Sequence, residues 1–403
     1  MRVLMITQSF YDFDGRILRQ TAALTKNNID VEVICLNLGN FPKYNKVENV
    51  NVYRIMKKFP QDKFFHYIFF SVAFLIKSFV ITFKLLFKNK PDIVQVHNMP
   101  DYLVFAAIFH KFAGVPVVLD MHDLTVELFK EKWGERKFKY LRPVLVAVEK
   151  MCVKFSDKVI TVSDQCGEKL MERGLPEDKL TIVMNVADSQ SFPYYKNRNF
   201  NKIESGLKLF YHGTFAERYG LHNTLYALPD VVKRIPSTVF YIVGKFENEY
   251  GNYLKKLAIE LNIADNVSFN HPIPYEKVGE ELKFVDIGII TETVFEYTNL
   301  GIPTKAFEYA ATGLPFAIND IEINRSVFRN ESVAFIHHNN KKQIASELIN
   351  LCLNPERRKK MSLNAYADVM KVSDEVMRER YLDLMKSLST NHKSSIVGKF
   401  KLR

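Results

Sequence analysis

Short apolar runs alternate with longer segments of helical period along the whole chain. In the first half, Val3–Thr7, Val31–Leu36, Val50–Ile55, Asp92–Val96, Val115–Met121, Lys158–Val162 and Leu180–Met184 predict strands. Arg16–Asn27, Phe64–Lys88, Tyr102–Ala113 and Pro143–Phe155 predict helices between them. Ala187–Gly206 is polar, carries Pro193 with several Asn and Ser, and has no period, so it reads as a linker. A second series then follows. Its strands are Leu207–Tyr211, Val239–Val243, Val267–Phe269, Ile287–Ile290, Pro315–Ile318 and Val333–Ile336, and its helices are Leu221–Arg234, Asn252–Leu261, Lys341–Leu353 and Asp374–Leu388. Such alternation predicts parallel α/β layers, hence two doubly wound Rossmann-like domains facing a cleft. The expected boundaries are 1–190 and 191–373, with a helix at 374–388 packing back on the first domain and a mobile basic tail at 389–403. The run Arg357-Arg358-Lys359-Lys360 reads as a solvated helix face.

Composition narrows the class. Of the 403 residues 47% are hydrophobic and 25% charged, the balance of a soluble globular protein rather than a disordered one. Cys35, Cys152, Cys166 and Cys352 are scattered without a C-x-x-C, which predicts reduced thiols in the cytosol and no zinc site. Met1–Ile6 is too short an apolar run for a signal peptide and reads as the first strand. The net charge of +11 is concentrated early, with 29 Lys/Arg against 21 Asp/Glu in residues 1–200. Arg54–Lys90 holds eight basic residues and one acid, Asp62, around a greasy aromatic segment. Lys77 and Lys84 interrupt that segment, which disfavours a spanning helix. Two readings fit: a basic aromatic helix lying on an anionic leaflet, or a core helix with both lysines outside.

Candidate chemistry centres on Gly301–Pro315, which predicts one short helix with both ends marked. Pro303 suits the first turn, where its missing N–H costs nothing, and Gly313 with Leu314-Pro315 stops it. Thr304 and Glu308 are four apart and share a face, about 6 Å apart along the axis. A helix start offers unpaired N–H groups and partial positive charge, which suits a phosphate. A carboxylate one turn on can accept two hydrogen bonds from a vicinal diol such as a ribose. Diphosphate plus ribose describes a nucleotide-sugar; a packing helix with Glu308 on its wet side fits the pattern equally. In open α/β sheets ligands collect outside the carboxyl ends of the strands. There His97, His122-Asp123, Ser163 and Asn185 each follow a predicted strand, though each singly also suits a turn or helix cap. Gly213 and Gly220 bracket a strand-to-helix loop that allows close backbone approach to a ligand. Val243-Gly244-Lys245 and the stretch His271–Tyr275 are further strand exits. Asp12-Phe13-Asp14 spells the D-x-D of metal-dependent sugar transferases, but aspartates also suit a helix N-terminus. P-loop, G-x-G-x-x-G, H-E-x-x-H and G-x-S-x-G are absent, which removes support for NTPase, dehydrogenase, metalloprotease and serine-hydrolase readings.

The string PTKAFEYAATGLPFAI resembles the donor-binding helix of family 4 glycosyltransferases, in the branch patterned P-[ST]-K-x-x-E-Y-x-x-x-G. VVLDMHDL, ITVS and IVMNVAD are similar to that family's first-domain rim. The resemblance implies a GT-B-like fold and a retaining glycosyltransferase acting by front-face substitution. The departing phosphate oxygen then takes the acceptor proton, and no protein base, metal or cofactor is required. It implies donor contacts at Pro303, Thr304, Glu308, Gly213, Thr214, Gly244, Ile273, Asn299 and Leu300. Leu300 stands where many members carry a second Glu that reads the transferred sugar. Thr214 and Tyr219 stand where the commoner version supplies Arg and Lys. Arg218 and Lys305 therefore become the candidate cations for charge growing on the leaving diphosphate; a surface ion pair is the other reading of Arg218. By the same resemblance His122 lies beside the donor sugar, and Gly15, Arg16 and His97 fall on the acceptor side.

The expected acceptor is a lipid-linked glycan precursor at the cytoplasmic membrane face, in surface polysaccharide synthesis, with no nucleic-acid partner. Two other classes stay open. A nucleotide-sugar epimerase would need paired carboxylates in the cleft, for which Glu292 and Glu296 are candidates. A non-catalytic binder drawn by the +11 charge would show only salt-dependent attachment.

Overall fold

In the computed structural model, which describes residues 1–39, 41–58, 64–202 and 206–400, the strands assemble into two sheets. The chain divides into one unit of residues 1–185 plus the chain from Met377 on, and a second of Val186–Val376. The first unit runs β1 (Arg2–Thr7), α1 (Gly15–Lys26), β2 (Asp30–Asn37), β3 (Tyr44–Val47), β4 (Val50–Lys57), α2 (Phe64–Lys88) and β5 (Ile93–His97). It continues through α3 (Ile108–Phe112), β6 (Val117–Met121), α4 (Thr125–Trp133), α5 (Glu135–Phe155), β7 (Lys158–Thr161), α6 (Asp164–Glu172) and β8 (Leu180–Ile182). The second unit runs β9 (Lys208–His212), α7 (Leu221–Arg234), β10 (Val239–Val243), α8 (Glu249–Glu260), β11 (Val267–Asn270), α9 (Tyr275–Glu281) and β12 (Ile287–Ile290). Then come α10 (Thr304–Ala311), β13 (Phe316–Asn319), α11 (Glu322–Arg325), β14 (Ala334–Ile336), α12 (Lys341–Leu353) and α13 (Pro355–Met370). Helix α14 (Asp374–Phe400) follows.

Strand order is β3-β4-β2-β1-β5-β6-β7-β8 in the first sheet and β11-β10-β9-β12-β13-β14 in the second. Every pairing is parallel except the β3–β4 hairpin. The order reverses direction at β1 and at β9, so each unit is doubly wound and presents a crevice at its strand ends. Parallel strands covered on both faces read as continuous apolar runs, and Val3–Ile6 and Ile287–Ile290 are buried without alternation. Tyr381 and Met385 of α14 join Val3, Val33, Ile17 and Leu24 in the first unit's core. Leu209, Phe240 and Ile287 meet Leu225 of α7 and Leu348 of α12 in the second.

Several details depart from the sequence pattern. Strand β3 is a half-wet edge hairpin, so it lacks the apolar run of its neighbours. The helix predicted at Tyr102–Ala113 is a 3-10 stretch, Asp101–Ala107, followed by α3. Helix α5 begins at Glu135, with Pro143 inside it. Helix α14 does not stop at Leu388 but runs through Phe400, since no Pro or Gly interrupts it before Gly398; residues 401–403 lie outside the described residues. Arg358 is not a solvated charge. It is 1% exposed and donates to the carbonyls of Leu351, Cys352, Phe200 and Lys202, filling acceptors that the end of α12 leaves open.

Helix α2 has one face in the core of the first unit and one apolar face outside it. Its inner side, with Phe70 and Phe74 fully buried and Thr82 Oγ1 donating to Ala106 O at 2.8 Å, packs on the unit. Its outer side stays apolar: Phe65, Phe69, Val72, Ile76, Val80, Phe83 and Phe87 recur at helical spacing and are 41–80% exposed. His66, Lys77, Lys84 and Lys88 are exposed along one flank of that stripe. By length and composition α2 could cross a membrane, but a helix with one face in a domain core is not free to do so.

Candidate functional site

The second unit builds its site at the carboxyl ends of β9, β10 and β12. Helix α10 starts immediately after Pro303, and Gly313 ends it in the left-handed region at φ +70°. Small and aromatic residues sink the helix between strands, so that Lys305 through Ala311 are all buried. Glu308, 2% exposed, has its Oε2 at 2.9 Å from Nε2 of His212, the last residue of β9. The two atoms are close but not aligned for a hydrogen bond, so among the described residues Glu308 Oε2 is a buried acceptor left open. The His212 ring in turn lies over Phe210 at 5.7 Å and meets Tyr309 edge-on.

One turn earlier, Lys305 Nζ sits 5.2 Å from the Tyr211 ring centroid, 4.9 Å from that of Tyr219 and 3.9 Å from Glu292 Oε1. It also reaches Gly213, where a Cβ would lie 3.8 Å from Nζ. Gly213 adopts φ +131°, and the Tyr211 hydroxyl ties the loop by donating to Thr214 O at 2.9 Å. Arg218 is exposed, stacks over Tyr219 at 5.0 Å and donates to its hydroxyl at 3.1 Å. Tyr219 thus gathers both candidate cations. Gly220 could carry no side chain, since a Cβ would fall 1.8 Å from Thr291 O.

Beside this group lies a pocket of about 500 Å³ that includes His212, Gly213, Thr214, Gly244, Lys245 and Ile273. Gly244 holds it open, because a Cβ there would meet Gly213 O at 2.1 Å. Thr304 is exposed at the helix start, whose first N–H groups have no intrahelical acceptor. Asn299 and Leu300 are engaged otherwise: the Asn299 amide oxygen accepts from Ile323 N at 3.2 Å, and Leu300 is 5% exposed in apolar packing.

The first unit carries a polar rim at the ends of β5 and β6. His97 Nδ1 lies 3.3 Å from Asp120 Oδ2, and that oxygen also accepts from Gln20 at 2.8 Å and Gln95 at 3.1 Å. Tyr381 of α14 closes the network by donating to Gln95 Oε1 at 2.6 Å. Burial acts to raise the Asp120 carboxyl, but its contacts with His97 and Gln20 outweigh this and hold it well below the usual range. His97 Nε2 and His122 Nδ1 are buried with no hydrogen-bond partner among the described residues. Burial, then the Arg16 charge, lowers His122 to about 4, so its imidazole is neutral at physiological pH.

The remaining sequence candidates separate into supports and rim. Ser163 caps α6 by accepting from Cys166 N at 3.0 Å. Asp14 caps α1 and binds Arg16 through both carboxylate oxygens, at 3.1 and 3.0 Å. Asp12 is held by Arg54, with its closest approach at 2.7 Å. Both aspartates of the D-x-D are therefore committed to guanidinium groups. Gly15 is exposed, and a Cβ there meets nothing within 4 Å. Sequence reasoning missed His212, although the strand-end rule that selected His97 selects it too. Asp120 and Tyr381 carried no local signal.

Two doubly wound α/β units, one with a buried acid beneath a helix start and a glycine-bounded pocket, define a GT-B protein of the nucleotide-sugar-dependent class. A family model described as "Glycosyltransferase Family 4" matches residues 16–191, and one described as "Glycosyl transferases group 1" matches residues 195–368. The chain belongs to the family 4-like glycosyltransferases. It is 26% identical over 276 residues to the Escherichia coli UDP-Gal:alpha-D-GlcNAc-diphosphoundecaprenol alpha-1,3-galactosyltransferase, a match covering 65% of this chain and 66% of that protein, just under two thirds. Among solved structures it is similar to sucrose-phosphate synthase from Thermosynechococcus elongatus (TM-score 0.74, 14% identity, 97% of this chain and 100% of that one). It is likewise similar to Anabaena Alr3699/HepE in complex with UDP (TM-score 0.72, 14% identity, 96% and 100%). At such identities the structures speak for the fold.

Proposed function

We propose that the chain is a retaining glycosyltransferase that moves a sugar from a nucleoside diphosphate sugar to a lipid-linked glycan acceptor in cell-surface polysaccharide synthesis. The observation that carries this reading is the convergence of Glu308, Lys305, Gly213 and the start of α10 beside one pocket. The ribose hydroxyls donate to Glu308, the diphosphate meets the α10 start and the Gly213-Thr214 backbone, and the base enters the pocket by Gly244 and Ile273. As the glycosidic bond breaks, negative charge grows on the leaving phosphate; Lys305 and Arg218 offset it. That phosphate oxygen takes the proton of the attacking acceptor hydroxyl on the same face. The sugar keeps its configuration, and no protein base is required. For His122 the family resemblance suggests a sugar-contacting role, and an imidazole lowered to about 4 is too weak a base to favour proton abstraction. His97, with Gly15 and Arg16, serves the acceptor.

The relative from E. coli is named for a galactosyl donor and a diphosphoundecaprenol-linked acceptor; donor and acceptor classes are carried over from it, not the particular sugars. The outer stripe of α2 with its flanking cations supports peripheral attachment to an anionic leaflet at the cytoplasmic face. An epimerase would need two opposed carboxylates, whereas Glu292 faces the Lys305 ammonium. The test is turnover of a panel of nucleotide-sugars with a short polyprenyl-diphosphate-linked sugar, followed by assignment of the product anomer. Inversion, or sugar epimerisation without transfer, would overturn the reading.

A further inference from the structure

Strand β4, the start of the β3 hairpin and helix α2 enclose a second concavity, a groove of about 480 Å³ within the first unit. That volume falls in the range of roughly 300–1,000 Å³ usual for small-molecule sites. Its walls are Tyr44 and Tyr53 on one side and Ile76 and Val80 on the other. Ile76, Val80 and Tyr44 are 59%, 47% and 55% exposed, so a sizeable apolar surface is left to water there. Ile76 and Val80 also belong to the outer stripe of α2, which makes the groove continuous with that stripe.

The charged members are all basic: Lys43, Lys77 and Arg54, with no acid in the lining. Arg54 is fully buried and its charge is matched by Asp12. Lys43 and Lys77 are exposed and have no carboxylate partner among the described residues. An apolar channel with two unopposed ammonium groups is complementary to a hydrocarbon chain that carries a phosphate. Its inner end adjoins the loop before α1: Arg54 holds Asp12, and Phe13 meets Phe41, over which Arg54 also lies. Asp14, Gly15 and Arg16 follow directly in that loop. A lipid lying here would carry its phosphate end toward the segment assigned to the acceptor.

We infer that this groove holds the first isoprenoid or acyl units of the lipid-linked acceptor, with Lys43 and Lys77 on the lipid phosphate. The inference rests on the acceptor part of the proposed function. Its test uses the full chain and farnesyl phosphate below its aggregation limit, with farnesol and inorganic phosphate as separate probes, measured by calorimetry. Farnesyl phosphate should bind at least tenfold more tightly than either. Val80→Glu, which puts a like charge into the channel, and the double change Lys43→Ala/Lys77→Ala should each weaken it at least tenfold. All three positions are exposed, and thermal denaturation followed by far-UV circular dichroism checks folding in each variant, while unchanged UDP affinity confirms the other unit. Equal affinity for farnesol, or binding unaffected by both variants, would overturn the inference. So would equal competition, mole for mole, by phosphatidylglycerol in nanodiscs, which would make the surface a general lipid contact. If farnesyl phosphate binds as described while no sugar is transferred to any acceptor, the groove stands and the proposed function fails. If sugar reaches a water-soluble acceptor and farnesyl phosphate does not bind, the groove alone fails.

Discussion

Replacing Glu308 by Gln removes a charge while keeping the side-chain shape, and it tests the centre of the donor site. Glu308 is 2% exposed and faces His212 at 2.9 Å, so bulk water cannot substitute for its carboxylate. A hydrogen bond to an ionised acceptor is worth about 1.5–3 kcal/mol against about 1 for a neutral one. Two ribose hydroxyls donating to this group would then lose about 0.5–2 kcal/mol each, or about 1–4 together. At about 1.36 kcal/mol per tenfold, kcat/KM should fall by about 5- to 1,000-fold. The ribose is held in ground and transition state alike, so UDP affinity measured by calorimetry should fall in parallel. His212→Asn should cost less, about tenfold, because it loosens the carboxylate without removing it; recovery in His212→Gln would mark orientation rather than charge as its contribution. Thermal denaturation of each variant separates these effects from a folding defect. A Glu308→Gln enzyme within threefold of wild type, with unchanged UDP affinity, would refute the reasoning and remove Glu308 from the site.

Arg218→Ala and Lys305→Ala should each lower turnover, and Arg218→Lys should restore only part, since a point charge lacks the guanidinium fork; wild-type rates in both alanine variants would place the cations elsewhere. Exhaustive chelation should leave activity intact, because Asp12 and Asp14 are engaged by Arg54 and Arg16; loss that manganese or magnesium restores would contradict this. The wild type should bind anionic vesicles in a salt-sensitive way, and changing Lys57, Lys58, Lys63 and Lys88 to Glu should release it at about 1 kcal/mol per residue without altering UDP binding. Of these, Lys63 lies outside the described residues; vesicle binding indifferent to salt and to these changes would make α2 purely a core helix. Finally, His122 is neutral in the fold down to about 4, while the unfolded chain takes up its proton near the ordinary histidine value of 6.5. Its stabilising contribution is therefore fully present above about pH 6.5 and lost as pH falls toward 4, by about 3 kcal/mol. Denaturant midpoints at pH 7.5 and 5 should converge in His122→Asn, and an unchanged difference would argue against the buried neutral imidazole.

The sheet strands and the ends of α10 were legible in the sequence because their causes are local. A buried parallel strand must be an apolar run, and Pro303 and Gly313 act on the backbone where they stand. The strand-end rule likewise placed His97 and His122 on a rim without any contact being known. Pairing was not legible. His212 and Glu308 are separated by about half of the second unit, and Tyr381 reaches Gln95 from helix α14 across 286 positions. Nothing in either neighbourhood specifies such partners; they follow from where the sheet order brings the strand ends. The faces of α2 were undecided for a different reason. Its few polar residues mark only one flank and phenylalanines occupy the rest, so only packing against α3 and β4 could select which phenylalanines are buried. Arg358 inverted expectation for a third: a basic run looks solvated until the carbonyls at the end of α12 are seen to need a donor that water cannot reach. Chain-local chemistry determined which elements form and where their ends lie. Tertiary structure decided which charges face one another, because that depends on distances the sequence does not contain.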